Sequence, residues 1–157
     1  MTTMMKAILI DPKARTVIDV ECGNDLEDYY AHLQCRLFDV RTLSNFGDVM
    51  YFDDEGLLSG EPLHFFALGG NMGSPFCGRG LILGTGEEGK TVGARFTADE
   101  IRHLVTFLSG PQAVALYNHV EAERHADAEK RKAEGFNVIV IPGPRLTLSD
   151  AGEVFAE

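Results

Sequence analysis

The sequence has few cysteines, little basic charge and no long apolar run, and each shortage removes a class of protein. Its three cysteines, Cys22, Cys35 and Cys77, are odd in number, widely spaced and include no CxxC pair. That pattern supports neither a disulfide framework nor a zinc site, and reduced thiols in a cytoplasm fit it best. Fourteen lysines and arginines stand against twenty-four acidic residues, a formal charge of −10. Such a chain lacks the basic footprint that supplies most non-specific affinity for nucleic acid, so direct nucleic-acid binding is not expected. No apolar run approaches the ~18 residues of a membrane span, and the apolar part of the opening MTTMMKAILIDP is too short for a signal peptide. The expectation is a soluble cytoplasmic protein without membrane contact.

Catalytic signatures are scarce too. His32, His64, His103, His119 and His125 show no HExxH or other ligand spacing, and the pairs His119/Glu123 and Glu121/His125 are the i,i+4 neighbours common on solvated helices. Ser44, Ser59, Ser74, Ser109 and Ser149 lie in no GxSxG context. Asp53-Asp54-Glu55 lacks the oxygen-ligand spacing of a calcium loop and reads as an acidic turn. Cys77 is the one thiol beside a glycine-rich loop, where exposure would make it reactive. No motif requires a metal or a cofactor, and a binding protein is better supported than an enzyme.

The 157 residues present, 45% hydrophobic and 24% charged, suit one compact domain with a core of its own. The acidity is concentrated in the first 60 residues, where eleven acidic side chains meet five basic ones. Runs over 6–10 and 16–21, separated by Asp11-Pro12-Lys13-Ala14-Arg15, predict a hairpin. Asn24 and Glu27 have capping-box spacing, and Leu26, Tyr29, Tyr30 and Leu33 recur at helical intervals, predicting a helix over 24–34. Strands are expected over 35–43, 48–52 and 63–68. Thr97 and Glu100 form a second capping box, with Phe96 and Ile101 as a staple. The helix it opens is expected to run over 97–108, with Ile101, Leu104, Val105 and Leu108 in the core and His103 off the stripe. A further helix follows Pro111, apolar at Val114, Tyr117 and Val120 and then charged over 121–134, the charged half projecting or pairing with another copy of the chain. A strand-like run over 136–141 and a tail with little to bury complete the chain. The expected fold is a single α+β domain, a mostly antiparallel sheet with two to three packed helices, divided into 1–110 and an extension over 111–157 packed on it or projecting from it.

Two glycine-rich segments invite functional readings. Gly84-Thr85-Gly86-Glu87-Glu88-Gly89-Lys90-Thr91 satisfies the phosphate-loop pattern GxxxxGK[ST]. Yet no helix signal follows before Thr97, and Glu87 and Glu88 would sit beside a polyanion, so a hairpin turn is expected there. In the segment between Gly69 and Gly80, the side chains of Asn71, Ser74 and Arg79 with the backbone at Gly70 could together hold an anion, although a plain connecting loop is the preferred reading.

Met5-Lys6-Ala7-Ile8-Leu9-Ile10-Asp11-Pro12, Cys35-Arg36-Leu37-Phe38-Asp39-Val40, Asp53-Asp54-Glu55-Gly56-Leu57 and Gly78-Arg79-Gly80-Leu81-Ile82-Leu83-Gly84 together resemble a family of small proteins common in bacteriophage and mobile-element genomes. It is the domain of unknown function numbered 3846, and the resemblance covers about residues 5–108. The segment from Pro111 onward looks like a lineage-specific addition. In similar members the apolar run ends in a short acidic, glycine-rich turn without a required Lys-Thr, which implies a hairpin at 84–91. The resemblance brings no catalytic residues with it. It implies action in the cytoplasm of an infected bacterium, modulating host metabolism or defence. The expected function is a non-enzymatic binding module that occupies a host protein or sequesters a small anionic ligand, with a homo-oligomer allowed. The alternatives are a nucleotide-binding enzyme using Gly84–Thr91 and an acidic DNA-mimic inhibitor.

Overall fold

The computed structural model describes residues 3–44, 47–69 and 74–157. The chain opens with the expected hairpin of β1 (Met5–Asp11) and β2 (Thr16–Cys22), paired antiparallel from Met5↔Cys22 to Asp11↔Thr16. The turn forms because Asp11 Oδ1 accepts from the amides of Lys13 (3.0 Å) and Ala14 (3.2 Å), an aspartate doing locally what a backbone carbonyl does in a tight turn. With β3 (Phe38–Thr42), β4 (Val49–Asp53), β7 (Gly80–Thr85) and β8 (Thr91–Val92), this hairpin builds a six-stranded sheet of order β2-β1-β7-β4-β3, β8 pairing β7. A second sheet has the order β6-β5-β9, from β5 (Phe65–Leu68), β6 (Phe76–Cys77) and β9 (Val105–Leu108). Every strand pair among the described residues is antiparallel. The protein is a single α+β domain.

Strands β1 and β7 are continuous apolar runs because both of their faces are covered. Ala7, Leu9, Leu81 and Leu83 point to one side, where α1 (Leu26–Leu33) lays Tyr29 and Leu33 over them. Ile8, Ile10 and Ile82 point to the other, joining Met50, Phe66, Phe76 and Ile101 between the two sheets. The layers are therefore helix, large sheet, and small sheet with α2 (Ala98–Leu104). Gly80 sits where Met50 Sδ and Phe66 Cζ come within 2.9 and 3.0 Å of the position a Cβ would take, so the close approach of these layers needs a glycine there.

One buried charge fixes the connection into α2. Asp48 is fully buried and accepts from the amides of Arg95 (2.9 Å) and Phe96 (2.9 Å), with Arg95 Nη1 at 3.6 Å. Its carboxylate satisfies the two amides just before the capping box, in which Thr97 Oγ1 accepts from Glu100 N (3.1 Å) and Glu100 Oε1 from Thr97 N (3.0 Å).

Several expectations shift. α1 begins at Leu26 with Asp25 as its N-cap, and Asp25 N donates to Asp28 Oδ2 (3.4 Å), so the box lies one residue beyond Asn24/Glu27. Asn24 instead accepts from the Tyr29 hydroxyl (3.1 Å). The strand expected over 35–43 is confined to β3. The helix expected over 97–108 stops at Leu104, and 105–108 form β9 on β5. Val105, Thr106 and Phe107 are β-branched or aromatic residues that suit a strand, and the spacing of Ile101, Leu104, Val105 and Leu108 suits either period. Leu104 is consequently 41% exposed rather than core, while His103 is exposed as expected.

α3 (Gly110–Ala133) is capped by Ser109, whose Oγ accepts from Gln112 N (3.3 Å). Residues 136–141 form no strand. The tail buries more than its sequence suggests: β10 (Leu146–Leu148) and β11 (Val154–Ala156) make a hairpin whose Leu146 and Val154 pack with Ala113, Leu63 and Phe65. No helix among the described residues is long and apolar enough to cross a membrane.

Candidate functional site

β4 ends in Asp53 and hands the chain to a one-turn 3₁₀ helix, Gly56–Leu58, that folds against β6. Contact is tight: a Cβ at Gly56 would collide with the Cys77 carbonyl, and Cys77 Sγ donates to the Gly56 carbonyl (3.4 Å). This crossing leaves an open cavity of about 380 Å³ on its outer side, closed from above by α3. Phe52 and Phe76 form an aromatic wall, in edge contact at 5.1 Å, while Tyr117 and Val120 of α3 face them. Asp53, Asp54, Glu55 and Glu121 supply four carboxylates. The one basic side chain among the described lining residues is Arg41, whose guanidinium lies 5.1 Å from the Phe76 ring centroid. The cavity is lined mostly by apolar surface, and its carboxylates outnumber its one guanidinium.

Asp53 stands at the junction between this cavity and a smaller one of about 190 Å³ on the far side of the crossing. Burial raises its carboxyl above the usual range, more than the Glu55 amide at 2.9 Å from Oδ1 lowers it, and the nearby charges of Glu55 and Asp54 add to the rise. Cys77 lines both cavities, and burial followed by the charge of Asp53 pushes its thiol up to about 12. A thiol that keeps its proton so far above neutral pH is not a poised nucleophile, against the reactive Cys77 considered from sequence. Glu121 is fixed by the Arg124 guanidinium (2.9 Å) and the Gly143 amide (3.2 Å), and the Tyr117 hydroxyl donates to the Pro144 carbonyl (2.7 Å).

Of the residues expected to hold an anion, Gly70 and Asn71 lie outside the described residues. Ser74 lines the larger cavity and Arg79 the smaller. The Arg79 guanidinium is already engaged, through Nη2 with Asp11 Oδ2 (3.2 Å) and through Nη1 with the His32 carbonyl (3.0 Å). The GxxxxGK[ST] segment closes a hairpin: Gly84 and Thr85 belong to β7 and pair with Val92 and Thr91. Its turn places Glu88 at φ 57° and Gly89 at φ 74°, and β8 follows instead of a helix, so no helix N-terminus converges on a phosphate. Among the described residues no group of three or more His, Cys, Asp or Glu could hold a metal ion.

Sequence reasoning missed Arg41, Phe52, Phe76, Tyr117 and Glu121 as site residues. They come from β3, β4, β6 and α3, and no local pattern joins them. The acidic turn Asp53-Asp54-Glu55 was the visible signal.

The family described as Domain of unknown function (DUF3846) matches residues 5–105, well over half of the chain. No curated protein matches, nor does any solved structure.

Proposed function

The chain belongs to the DUF3846 family, and we propose that it acts as a non-enzymatic binding module whose larger cavity takes a ligand bearing a positive charge on an apolar body. The carrying observation is the composition of that cavity: Asp53, Asp54 and Glu55, with Glu121 already engaged by Arg124, stand beside an aromatic wall that receives one guanidinium over Phe76. Aromatic faces attract cations, more so when partly desolvated, and carboxylates close the charge balance. A cation is preferred here to the small anion read as one option from sequence, since Arg79 already pairs with Asp11. The phage or mobile-element setting implied by resemblance would put the protein in a bacterial cytoplasm. There its occupant would be a host cation of this chemistry, free or displayed as a basic side chain.

Calorimetric titration tests the reading, with an arylalkylamine as the free-ligand probe and a short peptide carrying arginine beside phenylalanine as the protein probe. Saturable heat with either is expected, lost in Asp53→Asn and, in the wild type, stronger as pH rises through the raised carboxyl range of Asp53, whose charge the cation needs. The probe that binds tells a free ligand from a displayed side chain. Inorganic phosphate and Mg-ATP should give no saturable heat. Binding of Mg-ATP abolished by Lys90→Ala, or silence with both cationic probes, would refute the proposal.

A further inference from the structure

The ring of Phe76, in the wall of the larger cavity, is engaged from several directions. It stacks on the fully buried Phe66, with centroids 5.2 Å apart and planes at 22°. Phe52 meets it at 5.1 Å and 65°. The Arg41 guanidinium lies over the ring, 5.1 Å from its centroid, and so takes the face that Phe66 leaves toward the cavity. Arg41 reaches it from β3, an edge strand of the large sheet that pairs with β4 alone among the described residues. Opposite Arg41 in that pairing stands Met50, which belongs to the core between the two sheets. Directly paired residues share a face, so Arg41 leaves β3 on the core side and extends along its apolar edge to Phe76.

We propose that Arg41 is an internal occupant of the cation site, holding the Phe76 face until a ligand of the same chemistry displaces it. The inference rests on the reading of the larger cavity as a cation site and names the residue that regulates it. A cation drawn to the aromatic wall by Asp53, Asp54 and Glu55 meets a face already taken by a group of its own kind. Two cations cannot share one ring face, so binding there is an exchange. The apparent affinity falls by the fraction of time the face stands open. The exchange is feasible because Arg41 is only half-buried, and a cation–π contact is weak where water reaches the charge. Its side chain is also long and starts from a sheet edge, so it can swing into solvent without moving β4. Exchange sets specificity as well. A neutral aromatic that displaced Arg41 would leave the three carboxylates without the charge beside them, whereas a cation restores it.

Calorimetric titration with phenethylamine, an arylalkylamine, tests the exchange. Arg41→Ala should bind it roughly 2- to 30-fold more tightly than the wild type, the span that one cation–π contact is worth. Arg41→Gln, which keeps much of the stem without the charge, should shift the same way and guards against disturbance of β3 by truncation. Arg36→Ala removes an equal charge beside Glu55 (3.9 Å), from a side chain that is 90% exposed and lies outside the cavity lining, and should raise affinity less. By nuclear magnetic resonance, the δ-methylene protons of Arg41 should lie upfield in the ring current of Phe76 and move back as phenethylamine saturates the site. Equal or weaker binding by both Arg41 variants overturns the inference and leaves the cation reading standing. So does a gain matched by Arg36→Ala, or an Arg41 signal that stays upfield with the probe bound. Silence of the wild type and both Arg41 variants removes the cation reading, and the inference falls with it.

Discussion

Asp53, Cys77 and Cys35 share one electrostatic neighbourhood, and its effect on the thiols is measurable. Burial is the largest cause in each case: Cys77 rises from 9.0 to about 12 and Cys35 from 9.0 to about 11, with the charge of Asp53 adding to both. Cys22 rises to about 11, again chiefly through burial. In the unfolded chain these thiols lose their protons near 9, while in the folded chain they keep them. Between those limits the unfolded state binds fewer protons, so stability falls as pH increases. Denaturant midpoints should be level just above neutral pH and then drop beyond about pH 8 as the unfolded thiols ionise. In Cys77→Ala the drop should be shallower, which separates this thiol from the tyrosines Tyr29 and Tyr117, whose raised values act in the same direction. A midpoint that rises through this window, or a slope unaltered in Cys77→Ala, would contradict the buried-thiol account. Thiol reagents at pH 8 should likewise react slowly with the native chain and quickly after unfolding.

Elements announced by two agreeing local signals are the ones legible in the sequence. The first hairpin combines β-rich runs with an aspartate turn, and α2 combines a capping box with a staple; the hairpin occurs and the helix starts where expected. The hairpin at 84–92 is legible for the opposite reason, because its nucleotide pattern lacks the helix that phosphate binding requires. β9 was hidden because Ile101, Leu104, Val105 and Leu108 fit a helix as well as a helix followed by a strand, and only pairing with β5 decides. That ambiguity has a mutational signature. Ile101 is fully buried between the sheets, so Ile101→Ala should cost about 2–5 kcal/mol. Leu104 is 41% exposed, and Leu104→Ala should cost about 1 kcal/mol or less. Equal losses in denaturant midpoint would restore the longer helix. Residues 136–141 have the composition of a strand but pair with no strand among the described residues, so composition identified their preference while topology gave them no sheet.

At the scale of the whole molecule, the described residues assemble three packed clusters, and they divide unevenly between its two parts. The two clusters on the faces of the large sheet draw only on residues up to Val105 and Phe107, all within the first 110 positions. The third joins Leu63 and Phe65 to Ala113, Leu146 and Val154, so the segment beyond 110 covers apolar surface that the earlier part presents. Leu63 N also donates to the Val154 carbonyl (2.7 Å), a bond across 91 positions that no sequence pattern announces. The larger cavity depends on the same docking, since Tyr117, Val120, Glu121 and Pro144 form its far wall. A chain ending at residue 110 should therefore keep the large sheet and a cooperative transition, but with a lower denaturant midpoint. Phe65, 3% exposed in the whole chain, would be uncovered, and the truncated chain should bind a hydrophobic dye and lose affinity for the cationic probes. Complete loss of cooperativity would show that the third cluster is required for the other two to form. An unchanged midpoint would show that Leu146 and Val154 contribute nothing to the core they appear in, and that α3 and the terminal hairpin are an appendage.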